Sequence, residues 1–177
     1  MKNLALEPIE YKIEETPRGV WRRFVYANGE SFAEYHSHTQ IFGMPFLHFT
    51  RGKCPETGAR VVARGFVAVG RLAVGIIAVG QASADIVAFG QASLGLLVSL
   101  AQAGAGLFAV GQLALGGMFG AGQLATGATA IGQLALGQYV LAQFGVGEHL
   151  WTTERADPAA VEYFHGLWNW LQSLFGA

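Results

Sequence analysis

Charge is nearly missing from the middle of this chain. Across residues 72–147 the one charged residue is Asp85, and ten of the eleven Lys and Arg lie at or before Arg71. Charged residues form 13% of the 177, against roughly 25% in ordinary soluble domains. With 11 basic and 12 acidic residues and no basic run, the sequence excludes a nucleic-acid binder, which needs clustered cations to displace counterions. Cysteine is almost as scarce. Cys54 alone rules out an internal disulfide framework and fits a reducing compartment. Residues 1–15 hold acids and no apolar core of the right length, so no signal peptide is expected, and the location expected is cytoplasmic or membrane-associated. Disorder is excluded by a hydrophobic content of 52%, and the length is short for two enzyme domains.

Glycine fills the uncharged stretch. Eighteen of the 25 glycines fall within residues 60–147, and they step by five: Gly65, Gly70, Gly75 and Gly80, then Asp85 in the same slot, then Gly90 and Gly95, and later Gly122, Gly127, Gly132 and Gly137. The unit reads roughly Leu-Ala-Leu-Gly-Gln, as at residues 134–138. A short fixed period takes precedence over local propensity. Transmembrane helices fit poorly, because five residues advance a helix by about 500° and would scatter the glycines over every face. A left-handed β-helix needs period six. A quadrilateral β-solenoid, with five residues per side, twenty per coil and about four coils, matches the step directly.

Alternation along a strand then sets what points inward. The first and third residues of the unit carry the bulk, as in Ile77 with Val79, Val87 with Phe89, Ala92 with Leu94, Leu113 with Leu115, Thr129 with Ile131, Leu134 with Leu136, Tyr139 with Leu141, and Phe144 with Val146. These pairs are the expected aliphatic core. The alternative puts Ala and Gly inside and leaves an apolar exterior suited to lipid or another subunit. A second period runs through Arg71, Gln81, Gln91, Gln102, Gln112, Gln123, Gln133 and Gln143, ten or eleven residues apart, while Ile76, Ile86 and Leu96 hold the alternate slots. Glutamine ladders on two opposite faces and small or apolar residues on the other two follow from a four-sided coil.

The flanks read as caps. Residues 21–26 and 31–38 are strand-like around Ala27-Asn28-Gly29-Glu30, a hairpin signal, and residues 42–49 give a further strand toward the first repeat. Asp157 and Pro158 form an N-cap and first helical residue, and Val161, Phe164, Leu167, Trp168, Leu171, Leu174 and Phe175 make one apolar helix face. The expected organisation is an N-terminal β-hairpin cap over 1–60, a five-residue-repeat β-solenoid over 61–149 and an amphipathic capping helix within 150–177.

The run Phe42-Gly43-Met44-Pro45-Phe46-Leu47-His48, the Ala-Val-Gly units, then Gly147-Glu148-His149 and Asp157-Pro158-Ala159-Ala160 resemble a group of uncharacterised bacterial Gly-rich pentad-repeat proteins. The likeness covers residues 40–175 and implies a solenoid with two caps; it carries no activity and no catalytic residues. A looser resemblance is to the pentapeptide-repeat family, which implies a right-handed coil. That family favours Asn or Asp beside Ala, where this chain has Gly and Gln. Its DNA-mimicking members use acidic surfaces, and a repeat with one Asp has none.

Reactive groups are few. His36 and His38 share a strand face, and with His48 they form a low-ranking metal-binding candidate; no metal and no cofactor is the expectation. His48 at the start of the repeats, Glu148 and His149 at their end, and Trp168 on the helix are assigned capping roles. No nucleophilic triad, phosphate loop or carboxylate pair is present. The function expected is a non-enzymatic structural or scaffold protein that self-associates, as homo-oligomer or filament, through neutral small or apolar faces, with no nucleic acid as partner. The alternative is a membrane-embedded or membrane-associated protein using residues 72–147.

Overall fold

A computed structural model describes residues 9–176, the Phe175 side chain excepted. The protein is mainly β with one C-terminal helix. In chain order the elements are β1 (Lys12–Thr16), β2 (Gly19–Val25), β3 (Ser31–Ser37), β4 (Gln40–Ile41), β5 (Met44–Pro45), β6 (Leu47–Arg51), β7 (Ala63–Trp151) and α1 (Pro158–Phe175). The chain divides into two compact units, residues 1–86 and 87–177, which are taken in turn.

In the first unit, β1, β2, β3 and β6 form an antiparallel sheet, and β6 continues it into β7 by parallel pairing of Leu47 with Val67, His48 with Ala68 and Phe49 with Val69. The expected hairpin joins β2 to β3: Gly29 takes φ 83°, and its N–H donates to the Tyr26 carbonyl at 3.0 Å. The strand expected over 42–49 is instead interrupted. Phe42 and Gly43 both take positive φ (53° and 75°), which is the two-residue turn that suits a right-twisted hairpin, and it joins β4 to β5. Alternation divides the sheet's faces. Trp21, Tyr35 and Phe49 lie together on one, with Trp21 4.9 Å from the Tyr35 ring and 5.9 Å from Phe49. On the other, Phe32 is fully buried beside Arg22, Glu34, His48 and Thr50.

Within β7 the buried residues are the small ones. Ala63, Ala68, Ala73, Ala78 and Ser83 are buried at a step of five in the first unit. The series in the second unit is Ala88, Ser93, Ser99, Gly104, Ala109, Ala114, Gly120, Ala125, Ala130, Ala135 and Val140, with steps of six at 93–99 and 114–120. The bulky pairs expected inside are therefore outside or at the edge: Val79, Leu94, Leu115, Leu134, Leu136, Phe144 and Val146 are all exposed, Phe144 at 65%. The twenty-residue, four-coil arrangement also fails. A Cβ on Gly75 would overlap the Gly65 carbonyl oxygen, and in the second unit the same relation links Gly122 with Gly111, Gly132 with Gly122 and Gly147 with Gly137. Close neighbours are thus ten or eleven residues apart, half the expected coil. Segments at this spacing lie close together, and the gap inside them holds small side chains, with Val140 the largest. Methyl and hydroxymethyl groups fill that gap, and glycine lets the next backbone approach.

The helix of the second unit begins as expected at Pro158, with Asp157 at the N-cap position. The Asp157 side chain does not cap it. Its carboxylate accepts from the Leu150 N–H at 2.9 Å and from Arg155 Nε at 2.7 Å, fastening the start of α1 to the end of β7. The buried helix line is Ala160 and Phe164, flanked by half-buried Val161, Leu167 and Leu171. Trp168 and Leu174 of the expected apolar face are exposed, Trp168 at 59%, so the stripe is rotated from its expected centre.

Candidate functional site

The histidines expected to group as His36, His38 and His48 separate. His38 turns to the Thr16 carbonyl, 3.2 Å from its Nε2. His36 and His48, opposite each other on β3 and β6, stack at 3.9 Å and both reach Glu34 Oε1 at 3.2 Å. Glu34 Oε2 accepts from Arg22 Nε at 3.1 Å and from a second Arg22 nitrogen at 2.6 Å. The ligand-capable atoms of Glu34, His36 and His48 lie within 4.8 Å of one another, the spacing a metal would need. Their hydrogen bonds describe different chemistry. The Arg64 N–H donates to His48 Nδ1 at 2.8 Å, so Nε2 carries the proton and gives it to Glu34. Arg22 meets the same carboxylate, and its positive charge opposes a second cation there. The group is a charge clamp, buried at Glu34 and His48 and open to solvent at Arg22 and His36, that joins β2, β3 and β6.

Glu34 is 5% exposed yet stays ionised. The hydrogen bond from His48, then those from Arg22 and His36, outweigh burial and lower its pKa to about 2. Arg22 and Glu34 were missed in the sequence. The signal was present as alternation, since Glu34, His36 and His38 share a strand parity, but the pairing of β2 with β3 that selects Arg22 is a tertiary fact. His48, assigned a capping role, lies on β6 within its parallel pairing with β7. It sits in register with the inner residue Ala68 and satisfies the Arg64 amide.

At the far end, His149 Nε2 lies 3.9 Å from Glu148 Oε1, and its ring stands 4.8 Å from Tyr139. Glu148 is exposed and accepts from Gln138 Nε2 at 3.4 Å, ten residues back. Thr129 and Tyr139, expected among the core pairs, instead meet α1: Tyr163 stacks on Tyr139 at 4.2 Å, and the Tyr163 and Thr129 hydroxyls are 2.6 Å apart.

The glutamine residues Gln81, Gln91, Gln102, Gln112, Gln123, Gln133 and Gln143 are all exposed. In the second unit Gln112, Gln123, Gln133 and Gln143 line one groove with Leu113, Leu124, Leu134 and Phe144, so the ten-residue layer gathers them on a single face. The alternate slots carry Leu96 at 69% exposure and Leu107, with Leu97, Phe108 and Met118 beside them, all exposed. Ile76 and Ile86 are half-buried. Asp85, in the glycine slot, accepts from the Gly75 N–H through Oδ1, while Oδ2 is buried without a partner. Burial raises its pKa to about 6. No family model, curated protein or solved structure matches the chain.

Proposed function

We propose that β7 is a β-solenoid with a ten-residue coil and that the protein is a non-enzymatic scaffold which self-associates through an outward apolar face. The observation that carries this is the inversion of the usual arrangement: methyl-sized side chains are buried every five residues while Leu, Phe and Met stand outside. Each buried methyl contributes only about 0.8 kcal/mol, so a thin coil leaves most of its apolar surface unused. The likeness to bacterial pentad-repeat proteins supports the same reading.

The face formed by Leu96, Leu97, Leu107, Phe108 and Met118 is the one proposed to pair. The equivalent slots further along hold Thr129 and Tyr139, and there Tyr163 of α1 already packs on them. The helix therefore covers one part of the column, and a second copy, whose face repeats with the same spacing, covers the rest. Light scattering on the full chain tests this. The wild type is expected to be an oligomer at micromolar concentration, and the double variant Leu97→Gln, Phe108→Gln a monomer of unchanged circular dichroism. A monomeric wild type contradicts the proposal. Among the described residues no helix is long and apolar enough to cross a membrane; recovery of the wild type only with detergent would favour lipid as the partner of this face.

A further inference from the structure

A second surface of the first unit has a different chemistry. Arg51, Lys53, Arg60 and Arg71 line one cavity of about 870 Å³ together with a single carboxylate, Glu30. Three local features bring these cations together. Parallel pairing of β6 with β7 ends at Phe49 with Val69, and Arg51 and Arg71, each two residues further on, line the same cavity. The Cys54 N–H donates to the Ala59 carbonyl at 2.7 Å, closing a turn that returns Arg60 next to Lys53. Tyr26 Oη donates to the Lys53 carbonyl at 2.8 Å and ties that turn to the end of β2.

None of the four cations makes an ion pair among the described residues, although Arg22 and Arg23 of the same unit find Glu34, Glu56 and Glu14. Like charges side by side on neighbouring strands repel, and the one acid of the cavity, Glu30, balances at most one of the four. Gly70 and Gly80 line the cavity beside Arg71 and Gln81, while Phe49, Val69 and Val79 provide an apolar side.

We infer that this cavity binds a phosphate-bearing, multiply charged anion, held by the Arg51 and Arg71 guanidiniums with Arg60 and Lys53 at the rim. Two planar guanidiniums offer paired donors matched to phosphate oxygens, and Lys53 adds a compact charge. The same chemistry is presented by a soluble phosphate ester or by a phosphomonoester lipid headgroup. The inference is independent of self-association, because the cavity and the Leu96 face involve different residues.

Titration calorimetry of the full chain with inorganic tripolyphosphate, at low and at physiological ionic strength, is the test. One saturable site is expected. Arg51→Gln with Arg71→Gln weakens it on the order of tenfold to a hundredfold, and Arg60→Gln, in a turn where folding is less at risk, weakens it by up to about tenfold. Arg64→Gln removes the same charge outside the cavity, leaves its backbone N–H to His48, and is expected to change binding by less than about twofold at physiological salt. Flotation with phosphatidylcholine vesicles, pure or doped with phosphatidic acid, identifies the source: capture by doped vesicles alone that tripolyphosphate displaces and Arg51→Gln with Arg71→Gln abolishes assigns the headgroup, and no capture beside tripolyphosphate binding assigns a soluble ester. The inference is overturned if neither probe binds. It is equally overturned if Arg64→Gln weakens binding as much as the cavity variants, or if polyglutamate binds as tightly as tripolyphosphate.

Discussion

The N-terminal sheet and β7 solve the problem of an interior in opposite ways. Between β2, β3 and β6 the chain buries Phe32 together with a carboxylate, an imidazole and part of a guanidinium, and nearly every polar atom there has a named partner. In β7 the interior is Ala, Ser and Gly, and the exterior carries the bulk. A sheet whose sides are spanned by four short strands has room for aromatic rings. β7, whose close neighbours are ten or eleven residues apart, holds small residues inside and leaves apolar side chains exposed. The same contrast extends to acids. Glu34 is held ionised by three donors, whereas Asp85 has one amide at Oδ1 and nothing at Oδ2.

Removing Glu34 should have the largest effect. Glu34→Ala leaves the His48 N–H unpaired in a buried setting and the half-exposed Arg22 with Glu56 alone, and is expected to cost about 2–4 kcal/mol by urea unfolding. A loss below about 1 kcal/mol would remove the basis for calling this group a clamp. The two acids should also respond to pH with opposite sign. Glu34 has a folded pKa of about 2, below its ordinary value, so its contribution is present above about pH 4.5 and is lost as pH falls toward 2. Asp85 has a folded pKa raised to about 6, so the folded state favours its protonated form; stability falls by up to about 3 kcal/mol as pH rises from 4 through 6. Asp85→Asn keeps an acceptor for the Gly75 N–H and should abolish that fall. Thermal melts of both proteins at pH 4 and pH 8 check this, and parallel pH curves for the two would refute it.

Smaller effects separate the inside of β7 from its outside. Ala130→Leu places three extra carbons in a fully buried methyl site and should destabilise by about 1–3 kcal/mol or prevent folding. Leu134→Gln, one repeat slot along and exposed, should shift stability by no more than about 0.5 kcal/mol. Equal penalties at the two sites would dissolve the contrast.

Much of this was legible in the sequence. The five-residue glycine step located β7, the Asn28-Gly29 turn located a hairpin, and Asp157-Pro158 located the start of α1. Which way the repeat faces was not. Strand alternation distinguishes two faces but does not say which is inside, and the usual assignment of bulk to the core fails where close neighbours are only ten or eleven residues apart. The superposed ten-residue glutamine step already held the spacing of close neighbours, since Gln112, Gln123, Gln133 and Gln143 fall in one groove. The Glu34 clamp and the cavity of Arg51, Lys53, Arg60 and Arg71 depend on strand pairing and a turn that bring distant positions together, and no local spacing announces them.

Thiol labelling most directly tests the inverted interior on which the proposed scaffold rests. In a Cys54→Ala background, cysteine is placed once at Ala130 and once at Leu134, and the rate of reaction with a maleimide is measured under native conditions. The account predicts that the cysteine at 130 is protected until the protein unfolds and that the one at 134 reacts at close to the unfolded rate. Protection at 134 with free reaction at 130 would contradict it.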